Sequence, residues 1–224
     1  MSFLLENISD SGIVAVIRGA KKDSILDVAK ALREGGIKSL EITVESPGAM
    51  GVIEKLASEF TGDGVSVGAG TVLDPETARA AILSGAQFIF SPTLNADTIK
   101  IAKRYGALSV PGAFTPTEIL TAFEHGADMV KVFPARTLGA SFIKDMKGPL
   151  PQIPLIATGG IDLSNAGEFI EAGAAGIGLG STLVPSDGEL TAEKLRGITD
   201  RARQFVELVG RVREGGGKLE SNRV

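Results

Sequence analysis

The chain contains no cysteine and no tryptophan, and only one histidine and one tyrosine. Without cysteine, disulfide frameworks and thiolate chemistry are excluded. Most catalytic zinc sites use two or three histidine ligands, so a metal-dependent aldolase or hydrolase is not expected, and neither is any other cofactor. The single histidine, His125, lies in Phe123-Glu124-His125-Gly126 at a predicted helix end, where it reads as a capping or surface group. Positive charge is also short: 23 Lys and Arg against 27 Asp and Glu leave a net charge of −4. No basic run or aromatic–basic interleaving marks a nucleic-acid surface. The stretch from Met1 to Gly12 carries Glu6 and Asp10 and no basic segment ahead of a long apolar run. No signal peptide or membrane span is expected from it, and the expected compartment is the cytoplasm.

Glycine and aliphatic residues make up the difference. The 224 residues include 29 Gly and are 43% hydrophobic, which suits aliphatic packing of strands on helices with many tight turns. This length fits one large domain with a sizeable core. Short apolar runs at 13–18, 39–44, 65–70, 87–91, 107–111, 128–133, 154–157 and 175–179 alternate with helical patterns. Those patterns fall at 22–34, 47–59, 75–84, 96–104, 116–124, 140–146, 163–172 and 192–212. The helices stop at similar punctuation: Glu34-Gly35-Gly36, Ser84-Gly85-Ala86, His125-Gly126-Ala127 and Ala172-Gly173-Ala174. Glycine there supplies the left-handed residue that ends a helix. Eight βα units with right-handed crossovers predict a single-domain α/β fold, a (β/α)8 TIM barrel, over residues 1–213. A doubly wound open sheet is the alternative, but no GxGxxG follows the first strand. Residues 214–224, with Gly215-Gly216-Gly217, are expected to form a disordered tail.

The stretch Asp128-Met129-Val130-Lys131-Val132-Phe133-Pro134 reads as a buried strand carrying one ammonium group. An unpaired charge in apolar surroundings is costly, so it is partnered or made neutral. Desolvation favours the neutral form of an amine, which can add to a carbonyl and form an imine. A lysine snorkelling from the strand end to solvent is the other reading. Barrel enzymes place their sites at the C-terminal ends of the strands. There the chain offers Arg18 after the first strand, Glu41 within the second and Thr71 after the third. Ser91-Pro92 follows the fourth, and Lys131 lies in the sixth. Arg18, Glu41 and Lys131 are single ionisable residues in apolar strands, and a closed barrel lets all three face one interior. A carboxylate beside an amine can shuttle the protons of imine formation, although a structural ion-pair network is also consistent with the pattern. Thr158-Gly159-Gly160 and Gly178-Leu179-Gly180-Ser181 follow the last two strands, where barrels often hold phosphate on backbone amides.

Seven motifs in this order and spacing resemble one family. They are Val130-Lys131-Val132-Phe133-Pro134-Ala135, Leu40-Glu41-Ile42-Thr43, Gly68-Ala69-Gly70-Thr71-Val72, Phe90-Ser91-Pro92, Val110-Pro111-Gly112, Lys147-Gly148-Pro149 and Thr158-Gly159-Gly160-Ile161. The family is that of 2-keto-3-deoxy-6-phosphogluconate (KDPG) and 2-keto-4-hydroxyglutarate (KHG) aldolases, and the resemblance spans residues 12–185. It implies a class I lyase on a (β/α)8 barrel, usually a homotrimer, cleaving a 2-keto-4-hydroxy acid to pyruvate and an aldehyde. Within it, Lys131 matches the imine-forming lysine and Glu41 the general acid/base. Thr71 and Pro92 match positions lining the pyruvyl end, Arg18 a basic residue facing the pocket, and Phe133 a substrate-lining position. Thr158, Gly159, Gly160, Gly180 and Ser181 match the phosphate-binding loops. A protonated imine accepts the electrons of the broken carbon–carbon bond, and no metal is required for that step.

One departure bears on substrate. The best-known KDPG enzymes resemble Glu-Val-Thr-Leu-Arg at the second strand, whereas this chain has Glu41-Ile42-Thr43-Val44-Glu45. Glu45 cannot replace that arginine; it either repels an anionic substrate or turns outward. The expected reaction is cleavage of a phosphorylated 2-keto-3-deoxy sugar acid to pyruvate and glyceraldehyde 3-phosphate. A 4-hydroxy-2-oxoglutarate or 2-keto-3-deoxy-6-phosphogalactonate aldolase is the alternative. Two readings of other classes stay open: a phosphate-binding barrel isomerase or synthase with Lys131 as a fixed charge, and a non-catalytic barrel.

Overall fold

Runs such as Ile13-Val14-Ala15-Val16-Ile17 are β-branched and apolar on both faces, the pattern of strands covered by helices on one side and by a barrel interior on the other. In the computed structural model, residues 8, 11–19, 24–185 and 190–220 are described, the last five of these by backbone alone. The start of the expected first helix at 22–23, most of the N-terminal stretch and residues 221–224 lie outside the described residues.

Strands and helices alternate along the chain. They begin β1 (Ile13–Ile17), α1 (Ile25–Glu34), β2 (Ser39–Thr43), α2 (Ala49–Glu59), β3 (Ser66–Gly70), α3 (Pro75–Leu83), β4 (Phe88–Phe90) and α4 (Ala96–Arg104). There follow β5 (Leu108–Val110), β6 (Gly112–Ala113), α5 (Pro116–Glu124), β7 (Val130–Val132), α6 (Ala135–Lys147), β8 (Leu155–Thr158), α7 (Ala166–Glu171), β9 (Gly176–Leu179) and α8 (Ala192–Glu220). Every strand pair is parallel, in the order β5-β4-β3-β2-β1-β9-β8-β7-β6. The two ends of that order, β5 and β6, are consecutive in the chain and separated only by Pro111. They are halves of one strand, broken where proline has no N–H to give. The carbonyl of Pro111 still accepts a hydrogen bond from the Lys131 N–H at 2.9 Å, and the Gly112 N–H donates to Thr93 O. The ring closes through this broken strand, so the nine segments form the eight strands of a (β/α)8 barrel.

Side chains alternate across each strand, and the two apolar clusters record which way they point. Ile13, Ala15, Leu40, Ile42, Val130, Val132, Leu155 and Ala157 join the layer between strands and helices. Val14, Phe88, Phe90, Leu108, Val110 and Ile156 fill the barrel itself, with Ile8 and Met129. Glu41 lies between Leu40 and Ile42, Lys131 between Val130 and Val132, and Thr158 follows Ala157. By the same alternation these three polar residues face inward, above the apolar plug.

Sequence-encoded caps set the helix starts. Asp74 accepts from the Thr77 N–H, Asn95 accepts from the Thr98 N–H, and Thr115 with Glu118 forms a reciprocal capping box. The longest helix, α8, packs across α1 and α7 and is tied to α1 by the buried Thr199 hydroxyl donating to Ala31 O.

Three helix boundaries differ most from the sequence reading. Helix α6 begins at Ala135, before the expected 140, but has non-helical backbone at Gly139 (φ 75°, ψ 169°), so the expected helix is its second stretch. Helix α7 is shorter than 163–172, because Asp162 and Asn165 build a hydrogen-bonded turn ahead of Ala166. Helix α8 continues to Glu220, through Gly215-Gly216-Gly217, into the segment assigned to the tail. Among the described residues no helix is long and apolar enough to cross a membrane.

Candidate active site

Lys131 is the central residue of the short strand β7, paired in register with Gly112 on one side and Ile156 on the other. It is 4% exposed, and its Nζ lies 5.1 Å from the centre of the Phe133 ring and 5.7 Å from that of Phe90. The aromatic faces offset part of the cost of burying an ammonium group. Glu41 is the middle residue of β2, paired with Val16 and Gly68, and is 1% exposed. Neither of its carboxylate oxygens has a hydrogen-bond partner among the described residues. Burial raises its pKa above the ordinary value, against the downward pull of the Lys131 and then the Arg18 charge; Glu45 pushes in the same direction as burial. The neighbouring strand is shaped for this side chain: a Cβ on Gly70 would lie 1.8 Å from Glu41 Oε1. Any side chain at residue 70 displaces the carboxylate.

A cleft of about 520 Å³ opens above this layer. Lys131, Arg18, Phe133, Thr158, Gly159, Gly160, Gly180 and Ser181 all line it, which brings together most of the residues expected to bind substrate. The Thr158 hydroxyl is buried and unpartnered among the described residues, and Gly178 makes room for it. Thr182 donates to Ile161 O and so ties the loop after β9 to the loop after β8. Hollows of similar size lie between outer helices, but none is lined by a buried ionisable residue.

Thr71 follows β3 and Pro92 lies two residues past β4; these two and the buried Glu41 are not among the residues lining this cleft. Thr71 is the only non-glycine residue with positive φ (60°) among those described, a left-handed turn between Gly70 and the buried Val72. Such backbone strain, about 1 kcal/mol, persists where the surroundings impose it. The carbonyl of Pro92 backs onto Gly112, the register partner of Lys131, where a Cβ would approach it to 2.3 Å.

Arg18 is the main correction. Its side chain is 55% exposed at the rim rather than buried in the interior, and it pairs with Glu45 at 2.5 Å. Strand β1 ends at Ile17, so alternation no longer holds Arg18 inside, and its guanidinium stays hydrated against a carboxylate from the loop after β2. Those loops are aligned by the Gly19 N–H donating to the Ser46 hydroxyl. Glu45 is exposed in the loop after β2, is not among the residues lining the cleft, and has its charge paired with Arg18. His125 caps the end of α5 as expected, with Nδ1 2.8 Å from Thr121 O.

The sequence reading missed Arg136. It lies in the first turn of α6 and lines the cleft, and its N–H donates to Gly159 O. Its aliphatic stem rests on Gly160, where a Cβ would be 2.3 Å from Arg136 Cδ. The available signal was a cation just after the end of β7.

A closed parallel barrel with a lysine and a carboxylate buried at its C-terminal mouth defines a TIM-barrel enzyme. The model of the KDPG and KHG aldolases matches residues 5–200, and the chain belongs to that family: it is an aldolase, a carbon–carbon lyase acting on small molecules. It is 35% identical over 198 residues to the 2-dehydro-3-deoxy-6-phosphogalactonate aldolase of Escherichia coli K12, covering 87% of this chain and 96% of that one. A native KDPGal structure superposes with a TM-score of 0.84 at 34% identity, covering 90% of this chain and 96% of that one. KDPG aldolase from Legionella pneumophila, with pyruvate captured as a covalent carbinolamine, superposes with a TM-score of 0.77 at 27% identity over 95% and 98% of the two chains.

Proposed function

We propose that the chain is a class I aldolase that cleaves a phosphorylated 2-keto-3-deoxy sugar acid to pyruvate and glyceraldehyde 3-phosphate through an imine on Lys131. The observation that carries this is the buried pair of Lys131 and Glu41, the latter with a carboxylate free of any protein partner among the described residues. The Lys131 amine adds to the C2 carbonyl to give a carbinolamine. Glu41 moves the protons that turn the C2 oxygen into leaving water, and a protonated imine results. Glu41 then accepts the C4 hydroxyl proton as the C3–C4 bond breaks. The aldehyde departs, and the bonding electrons stay as an enamine. Protonation at C3 and hydrolysis release pyruvate and restore the amine. A carboxyl group whose pKa is raised by burial is suited to give and take protons near neutral pH.

The phosphogluconate series is the first reading, with the phosphate held at Gly159, Gly160, Gly180 and Ser181. The second is the phosphogalactonate series, favoured by the Escherichia coli relative that acts on that compound. The two substrates differ in configuration at C4, and kcat/KM measured on both decides between them.

Borohydride reduction in the presence of pyruvate, followed by peptide mass spectrometry, is expected to leave a reduced pyruvyl adduct on Lys131. No adduct on folded protein overturns the imine assignment and favours the fixed-charge barrel reading. Glu45→Gln is expected to move the acid limb of the pH–rate profile to lower pH. It removes a charge that raises the Glu41 pKa and leaves Arg18, which lowers it, without its carboxylate. Measured kcat/KM profiles check this, and an unmoved or upward limb contradicts it.

A further inference from the structure

The cleft holds two arginines whose circumstances differ. Arg18 is neutralised at the rim by Glu45. Arg136 makes no ion pair among the described residues, and its stem is laid over Gly160 at the end of the cleft formed by the loops after β8 and β9. The carboxylate lining that end, Asp162, is engaged by the N–H and hydroxyl of Ser164. Glycine at residue 160 is required twice over: its φ is +75°, and a Cβ would collide with the Arg136 stem. The Gly159–Gly160 backbone and the Arg136 stem are thus packed as one unit.

We infer that Arg136 is a specificity-determining residue that binds the terminal phosphate of the substrate beside the Gly159–Gly160 backbone. This rests on the phosphorylated-substrate reading. To the hydrogen bonds of backbone amides a guanidinium adds charge-assisted, bidentate ones. At the position after Val44, where an arginine was expected, this chain has Glu45, which holds Arg18 instead.

The test compares the wild type with Arg136→Gln and Arg136→Lys on a phosphorylated 2-keto-3-deoxy acid and on its phosphate-free counterpart, with inorganic phosphate as a competitive inhibitor. In Arg136→Gln the preference for the phosphorylated compound is expected to fall by about 10-fold or more, through KM rather than kcat. The inhibition constant of inorganic phosphate rises by a similar factor, and Arg136→Lys recovers part of both. A preference that stays within about two-fold of wild type overturns the assignment to Arg136, as does an equal loss on both substrates, which marks a packing role on Gly160. A wild type with no phosphate preference overturns the phosphorylated-substrate reading itself, and the two failures are thereby told apart.

Discussion

Lys131→Ala is expected to lower turnover by about 10³-fold or more, because the proposed nucleophile is removed and nothing nearby among the described residues can replace it. The nearest candidates are arginines, which stay protonated, and Lys131 is the only lysine lining the cleft among the described residues. The fold survives the change. Strand β7 pairs through its backbone, and the Lys131 N–H still donates to Pro111 O whatever side chain is attached. Losing the ammonium also withdraws the largest attractive charge on Glu41, so the pKa of that carboxyl rises further. Tm is expected to shift by only about 5 °C in either direction. Steady-state cleavage assays and thermal melts read the two effects separately. Turnover near the wild-type rate with an intact melt removes Lys131 from the chemistry, and a collapsed melt makes it a structural residue.

The chemical core of the site was legible because ionisable residues inside apolar strands are costly and therefore conspicuous. Glu41 and Lys131 each interrupt a run whose neighbours pack outward, and alternation alone predicts that they face the barrel. The same rule failed for Arg18, which stands one residue past the end of β1, where alternation no longer applies and a carboxylate across the loop decides its position. Arg136 was invisible for a related reason. It sits in a helical turn, and only the left-handed backbone at Gly160, in a distant stretch of chain, gives its stem a surface to rest on. Ring closure was half legible: Pro111 read as the end of a strand, yet the strand resumes at Gly112 because the proline carbonyl can still accept. The extent of α8 was not legible, since three successive glycines argue for a stop on propensity alone.

Glu41→Gln separates the activity of the site from its contribution to stability. The amide cannot take the C4 proton, so kcat is expected to fall by about 10²- to 10⁴-fold with a smaller change in KM. A raised KM at unchanged kcat would make Glu41 a binding group only. Stability moves the other way, with a pH dependence that fixes the cause. Folding raises the Glu41 pKa from the ordinary 4.5, so the native chain keeps a proton that the unfolded chain releases. Stability from this residue is full below about pH 4.5 and is lost as pH climbs through the raised value. Glutamine has no such titration. The Tm of Glu41→Gln relative to wild type is therefore expected to improve as pH rises from about 4.5 to 8. Paired melts across that range check it, and a difference that is flat with pH contradicts the raised pKa. Gly70 sharpens the point, because a residue lacking Cβ is needed to seat a carboxylate that has no hydrogen-bond partner among the described residues and destabilises the fold when it ionises. A packing role would be served by leucine at residue 41 and alanine at residue 70. An acid that exchanges protons with a substrate inside the barrel accounts for the pair as they stand.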